Sequence, residues 1–157
     1  MRRLLWLTAL SVATSLVLAA SPTPKDEVSA TDAPTKDNLP WKTLSQVEEV
    51  KVNNRLVPKF SVQITALDAK EVRLQGFMLP LEAGAKQKRF LLSANVPSCP
   101  FCMPGGPDSL VEVLCKKPIA FNMEPIVISG KLSVLKDDPT GLWYRVTDAV
   151  LVSEGRM

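Results

Sequence analysis

The cysteines of this chain are the residues best suited to carry chemistry. Cys99 and Cys102 form a CxxC pair inside a segment rich in proline and glycine, residues 97–107, and Cys115 follows it. Cysteines at this spacing bring two sulfur atoms close enough to form a disulfide or to bind one metal ion. The chain contains no histidine. This excludes Ser-His-Asp and Cys-His catalysis, and it excludes histidine as a metal ligand.

A soft-metal site is one interpretation of this segment. Cys99, Cys102 and Cys115 would supply thiolates, which suit Zn(II) or Cu(I). Methionine thioethers are further soft ligands, and without histidine the fourth ligand of a zinc site would be a carboxylate, water or a residue of a partner. The residues that could supply these extra ligands are Met78, Met103, Met123, Asp108 and Glu112. Methionines more often fill hydrophobic cores, so this hypothesis depends on the cysteines.

A structural disulfide is the competing interpretation. An exported protein meets an oxidising compartment, in which paired cysteines tend to oxidise. A bridge between Cys99 and Cys102 closes a very small ring and adds little stability. A bridge from either of them to Cys115 would attach the segment to the strand that follows. Each pairing leaves one cysteine over, and the sequence leaves both the metal and the disulfide interpretation open.

Catalytic thiol–disulfide exchange is not favoured, and we expect no enzyme activity. In thioredoxin-type sites a helix begins at the first cysteine, and its N-terminus stabilises the thiolate. Here the sequence Met-Pro-Gly-Gly-Pro follows Cys102 directly. Because proline and glycine disfavour a helix interior, no helix is expected to continue from this pair.

The N-terminus predicts export to the periplasm. Arg2 and Arg3 precede an uncharged apolar run that ends in small residues at Ala20. This order is typical of a cleavable secretory signal peptide, so residues 1–20 are expected to be removed, with no membrane span left after cleavage. Loss of the two arginines lowers the formal charge from +3 to about +1. A near-neutral chain argues against nucleic-acid binding.

The remaining chain is expected to form a linker and one domain. Residues 21–40 are rich in proline, serine, threonine and charge, a composition that predicts a flexible linker. The domain is expected to span residues 41–157, a length sufficient for one small core. Between Trp41 and Lys59 strand-like and helix-like spacings are mixed, and Pro58 interrupts both. We therefore expect an irregular N-terminal cover on one side of the domain.

Five strand-like segments after Asp68 predict a mainly β fold. Gly76, within the first segment, indicates a bend. Short strands with glycine at bends and without a long helix favour a small five-stranded OB-like barrel over a β-sandwich or a meander. The predicted strands are residues 71–80, 89–93, 110–115, 126–134 and 142–152.

Strand periodicity also predicts the direction of several side chains. Alternation with a period of two places Cys115 on the same face as Val111 and Val113. For the adjacent aromatic residues Trp143 and Tyr144, the same alternation predicts one side chain inside the barrel and one outside.

The segment from Leu67 to Glu82, with its Gly-Phe-Met-Leu-Pro block at 76–80, resembles an uncharacterised bacterial exported family, domain of unknown function 3299. The resemblance extends through an apolar strand at 90–92, a cysteine-containing loop and a final glycine-containing hairpin, and it covers residues 41–152. The pattern that this chain resembles often has a single loop cysteine followed by prolines. The CxxC pair departs from that pattern.

The resemblance implies no established activity, and it implies a setting beside ABC-type transport components, some of them for metal ions. We therefore expect a periplasmic accessory binding protein with periplasmic or inner-membrane transport partners. Its ligand would be zinc or copper, bound by Cys99 and Cys102. The alternative is a non-catalytic scaffold or adaptor in which Cys99 and Cys102 form a structural disulfide.

Overall fold

Strands dominate the part of the chain that the structure describes. The structure is a computed structural model that describes residues 38–52, 55–98 and 104–154. The predicted signal peptide, most of the predicted linker, and Cys99 and Cys102 lie outside the described residues. In chain order the elements are α1 Trp41–Leu44, β1 Val47–Val52, β2 Arg55–Phe60, α2 Val62–Thr65, β3 Glu71–Pro80, β4 Lys86–Ser93, β5 Leu110–Ala120, β6 Ile126–Val134 and β7 Tyr144–Glu154, with a 3-10 turn, Pro107–Ser109, before β5.

The last five strands form a closed barrel in the order β3-β4-β5-β7-β6. All neighbours are antiparallel except β5 and β7, which run parallel. This order is consistent with an OB-like barrel and confirms the predicted fold class. The strands predicted at 71–80 and 126–134 coincide with β3 and β6. The others differ at their ends: β4 begins earlier than predicted, β5 extends to Ala120, and β7 begins at Tyr144 and ends later.

Gly76 lies where β3 changes its partner. Up to Gly76 the strand pairs with β6, and from Phe77 onward it pairs with β4. A Cβ atom at position 76 would lie 2.5 Å from the carbonyl oxygen of Ser93. Only glycine lets the two backbones approach this closely, which explains the residue type at this position.

The barrel interior holds the main hydrophobic core. Its members alternate along the strands with outward-facing residues, as a closed sheet requires. The side chains of Phe90, Leu92, Val111, Val113, Ile126, Ile128, Leu132 and Val146 are all buried there.

The N-terminal cover is more regular than the sequence predicted. Residues Val47–Val52 and Arg55–Phe60 pair as antiparallel strands, with Pro58 opposite Glu49. Proline is tolerated because the sheet has only two strands, so each strand has an edge that needs no N–H donor. The predicted break falls at Ser61 instead, whose hydroxyl accepts a hydrogen bond from Ile64 N at the start of α2.

The cover is attached to the first part of β3, residues 71–76, which pairs with β6 but not with β4. Leu39 N donates to Arg73 O at 2.8 Å, and the Trp41 indole donates to Gln75 O at 2.7 Å. Leu44 and Ile64, from the two short helices, are fully buried against the barrel core. None of the helices in the described residues is long and apolar enough to cross a membrane.

Trp143 and Tyr144 are both buried, so neither ring is exposed to solvent. The reason is the cover, because Phe60 at the end of β2 contacts both rings. Its ring centroid lies 6.5 Å from that of Trp143, edge to face, and 5.8 Å from that of Tyr144. A ring at this place can therefore point out of the barrel and still be buried, because the N-terminal cover packs over it.

Candidate functional site

The connection between β4 and β5, residues 94–109, carries the predicted chemistry and is anchored at its base. Ala94 N donates to Ser109 O at 3.0 Å, which joins the two sides of the connection. The Asn95 side-chain amide donates to Pro104 O at 2.7 Å. Ser93 and Asn95 also exchange two hydrogen bonds through the serine hydroxyl. These contacts hold the residues before Cys99 against those after Cys102.

The glycines after the CxxC pair shape the return to β5. Gly105 has a φ of 155°, which favours glycine, and a Cβ atom there would lie 3.1 Å from the amide nitrogen of Asn95. Gly106 O then accepts hydrogen bonds from the backbone and hydroxyl of Ser109, at 3.0 and 2.8 Å. Pro107 at the first position of the 3-10 turn fits this local geometry.

Cys115 lies inside the barrel, on the face shared with Val111 and Val113, as predicted. Its side chain is 5% exposed. Desolvation by burial raises the pKa of the Cys115 thiol to about 11. Burial therefore disfavours the thiolate, which is the form that binds a metal ion. The environment of Cys115 is thus that of a core residue.

The other candidate ligands do not converge on one point. Met78 is buried in the core, whereas Met123 is almost fully exposed between β5 and β6. Asp108 lies in the 3-10 turn, where its charge adds to burial in raising the pKa of the Tyr144 phenol. Within residues 38–52, 55–98 and 104–154, no three cysteine, aspartate or glutamate side chains form a group that could hold a metal ion. Cys99, Cys102 and Met103 lie outside those ranges.

Glu112 has a structural role that the sequence analysis missed. It is 1% exposed, and it lies on the opposite face of β5 from Val111 and Val113. One carboxylate oxygen accepts from Arg89 at 2.7 Å, and the other accepts from Arg145, which also contacts Asp138 at 3.3 Å. The signal for this cluster was a single carboxylate within the apolar stretch 110–115. Because both oxygens are engaged by arginines, Glu112 is not placed to complete a metal site at Cys115.

Two open cavities of the described residues lie beside the N-terminal cover. A groove of about 640 Å³ runs beside the N-terminal segment 38–40 and is lined by Glu71, Arg73 and Ser129. A smaller one, about 120 Å³, lies between β2 and the β6–β7 turn and is lined by Trp143 and Asp138. The carboxylate of Asp138 accepts hydrogen bonds from Thr140 and Arg145. These contacts, those from Thr140 above all, lower the pKa of the carboxyl.

Together these features define a small OB-like barrel protein with an anchored, cysteine-containing connection between its second and third barrel strands. The pattern of the DUF3299 family, described as proteins of unknown function, matches residues 20–142. The chain belongs to this family, to which no activity is assigned.

The crystal structure of a DUF3299 family protein from Pseudomonas aeruginosa PAO1 is similar to this chain at 21% sequence identity. The similarity covers 61% of this chain and 68% of that chain, with a TM-score of 0.49. No curated protein matches the chain.

Proposed function

We propose that the chain is an exported, non-catalytic accessory protein that binds a soft metal ion, zinc or copper, through Cys99 and Cys102. It serves an ABC-type transport system in the periplasm. The observation that carries this proposal is the anchored base of the β4–β5 connection. The hydrogen bonds of Ala94 and Asn95 to Ser109 and Pro104 tie its two sides together, on either side of the CxxC pair.

An anchored base favours ligand binding because part of the ordering cost is met before the ligand arrives. The connection is supported by the rigid strands β4 and β5, which pair along most of their length. Thiolate ligands on such a support suit a soft ion.

Cys115 is not a ligand in this proposal, because its thiol is buried among core side chains and has a raised pKa. Two thiolates leave coordination positions open for water or for a residue of a partner. An open position suits a protein that passes an ion on, whereas structural sites in proteins are usually closed by four protein ligands.

Metal analysis of protein purified under reducing conditions tests the proposal. The wild type and a Cys115→Ala variant are expected to retain one zinc or copper ion per chain. The Cys99→Ser/Cys102→Ser variant is expected to retain none. Cys115→Ala is the matched control, since it removes a sulfur but keeps a small apolar side chain in the core. Equal metal content in the wild type and the double variant would contradict the proposal.

A second candidate is a scaffold or adaptor whose Cys99 and Cys102 form a structural disulfide. The burial of Cys115 favours it, because a core thiol leaves the other two cysteines as a natural pair. Free-thiol titration with mass mapping separates the two candidates. Protein recovered from the periplasm should then show one free thiol after unfolding, at Cys115. Three free thiols would exclude this candidate and leave the metal site.

A further inference from the structure

Four lysines lie at or beside a large irregularity in the pairing of β4 with β5, on the outer face of the barrel. Gln87 pairs with Ile119, but the next paired residue of β4, Arg89, lies opposite Leu114. The four residues 115–118 of β5 therefore lie opposite the single residue Lys88. The lysines at and beside this irregularity are Lys86, Lys88, Lys116 and Lys117, and we call them the lysine patch.

All four lysines of the patch are exposed. In the described residues none of them forms an ion pair or a side-chain hydrogen bond, whereas Lys59 and Arg89 elsewhere are paired with carboxylates. Two carboxylates, Glu82 and Glu124, belong to the neighbouring turns, and neither is bound to a lysine of the patch. The patch thus carries four positive charges near these two carboxylates and the exposed Asp148 of β7, on a chain whose formal net charge is +3.

Exposed apolar side chains adjoin the patch at one end of the barrel. Phe121 follows β5 directly and is 43% exposed, and Met123 is 81% exposed. Phe121 N donates to Ala85 O at 2.9 Å, which places it beside the β3–β4 turn that contains the exposed Leu81. Residues 150–152, at the end of β7, add three more partly exposed apolar side chains.

The turn beside the patch is held in a fixed position. Gln87 is 1% exposed, and its side-chain amide donates to Glu82 O at 3.1 Å and to Gly84 O at 2.8 Å. These bonds fix the β3–β4 turn against β4. The lysines and the apolar side chains are therefore presented by an ordered backbone.

We propose that the lysine patch, together with Leu81, Phe121 and Met123, binds the surface of an anionic phospholipid bilayer. Lysines near such a surface are attracted by its negative potential within a Debye length. Apolar side chains that protrude beside them gain by entering the interfacial region. A soluble polyanion would engage the lysines but would offer nothing to Phe121 and Met123, and this combination selects a bilayer.

This inference does not depend on Cys99 or Cys102, and it holds whether or not they bind a metal. It adds a location to the proposed role, because a patch of this kind would keep the barrel at the membrane in which transport components lie. Its failure would leave the metal proposal unaffected.

Sedimentation with lipid vesicles tests the inference. The chain from Ser21 is used, because it keeps every described residue and lacks the apolar N-terminal run. It is expected to bind vesicles that contain phosphatidylglycerol and not vesicles of phosphatidylcholine alone. Lys116→Glu/Lys117→Glu is expected to weaken binding by at least about tenfold, and the glutamine pair by less.

Matched controls separate the patch from general charge and hydrophobicity. Lys70→Glu/Lys131→Glu makes the same charge change at the opposite end of the barrel and is expected to leave binding unchanged. Phe121→Ser/Met123→Ser is expected to weaken binding with every charge in place, whereas Val62→Ser, at an exposed position of α2, is not. Circular dichroism confirms that each variant is folded.

Three outcomes would overturn the inference. The first is no binding to phosphatidylglycerol vesicles. The second is equal weakening by the two lysine-to-glutamate pairs. The third is tight binding of inorganic polyphosphate that displaces the vesicles and is unaffected by Phe121→Ser/Met123→Ser, which would assign the patch to a soluble polyanion.

Discussion

At the scale of single residues, Cys115 shows how burial controls the chemistry of a sulfur atom. Its side chain packs with Val111, Val113 and Ala149 inside the barrel. Desolvation raises the pKa of its thiol from the usual value of 9.0 to about 11. The neutral thiol therefore persists in the folded state at pH values at which the unfolded thiol has begun to ionise.

The reactivity of Cys115 should reflect this burial. In the Cys99→Ser/Cys102→Ser variant, Cys115 is the single thiol, and a thiol reagent at pH 8 should modify it at least about 100-fold more slowly in native protein than in urea, because two pKa units reduce the thiolate fraction by that factor. Equal rates in native and unfolded protein would contradict the buried position.

The Cys115 thiol should make the folded protein less stable at alkaline pH. A raised folded-state pKa means that the folded state holds a proton that the unfolded state releases. Stability is therefore lost as the pH rises from about 9 to about 11. The Cys115→Ala variant should lose less stability over this window than the protein that retains the thiol.

At the scale of elements, Glu112 joins three strands of the barrel. It belongs to β5 and binds Arg89 of β4 and Arg145 of β7. The parallel pairing of β5 with β7 is interrupted by a register shift between Val113 and Cys115. The ion pairs lie next to this interruption and connect the strands by side chains where the backbone ladder is irregular.

Replacing Glu112 with glutamine should lower the free energy of unfolding by about 2 kcal/mol, because a buried acceptor of charged hydrogen bonds is lost while both arginines remain partly hydrated. Urea unfolding measures the change. Glu48→Gln is the matched control, since its ion pair with Lys59 is exposed and should be worth about 0.5 kcal/mol or less. Similar losses in the two variants would show that the Glu112 cluster adds nothing beyond a surface ion pair.

At the scale of the whole molecule, the N-terminal cover and the barrel share one core. Tyr144 is fully buried, and its hydroxyl donates to Leu44 O at 2.6 Å, linking the first strand residue of β7 to the end of α1. Phe60 packs against the same ring from β2. The cover is thus held by residues that are about a hundred positions apart in the sequence.

Tyr144→Phe should loosen the cover while the barrel stays folded. The change leaves Leu44 O buried without its donor, which should cost about 1–2 kcal/mol. Hydrogen exchange should be faster in α1, with little change in β6. Ser45→Ala, which removes only an exposed bond to Lys42 O, is the control and should leave exchange unchanged. Unchanged protection of α1 in Tyr144→Phe would show that the cover does not depend on this bond.

Much of the barrel could be predicted from local patterns. Alternating and apolar stretches identified the strands at 71–80 and 126–134, and Gly76 marks a close approach of two backbones. Alternation also placed Cys115 on the inner face of β5. These features follow from the period of two in a strand, which depends only on neighbouring residues. The role of Cys99 and Cys102 stays a prediction, since they lie outside the described residues.

The sequence by itself determined the mainly β class, the absence of histidine chemistry and the presence of a CxxC pair. Only the tertiary structure decided that Trp143 and Tyr144 are both buried, that Glu112 is bound by two arginines, and that the lysine patch forms at an irregularity in strand pairing. The physical reason is that each of these depends on contacts between strands far apart in the chain. Local periodicity assigns a side chain to a face of its strand, but only packing determines what covers that face.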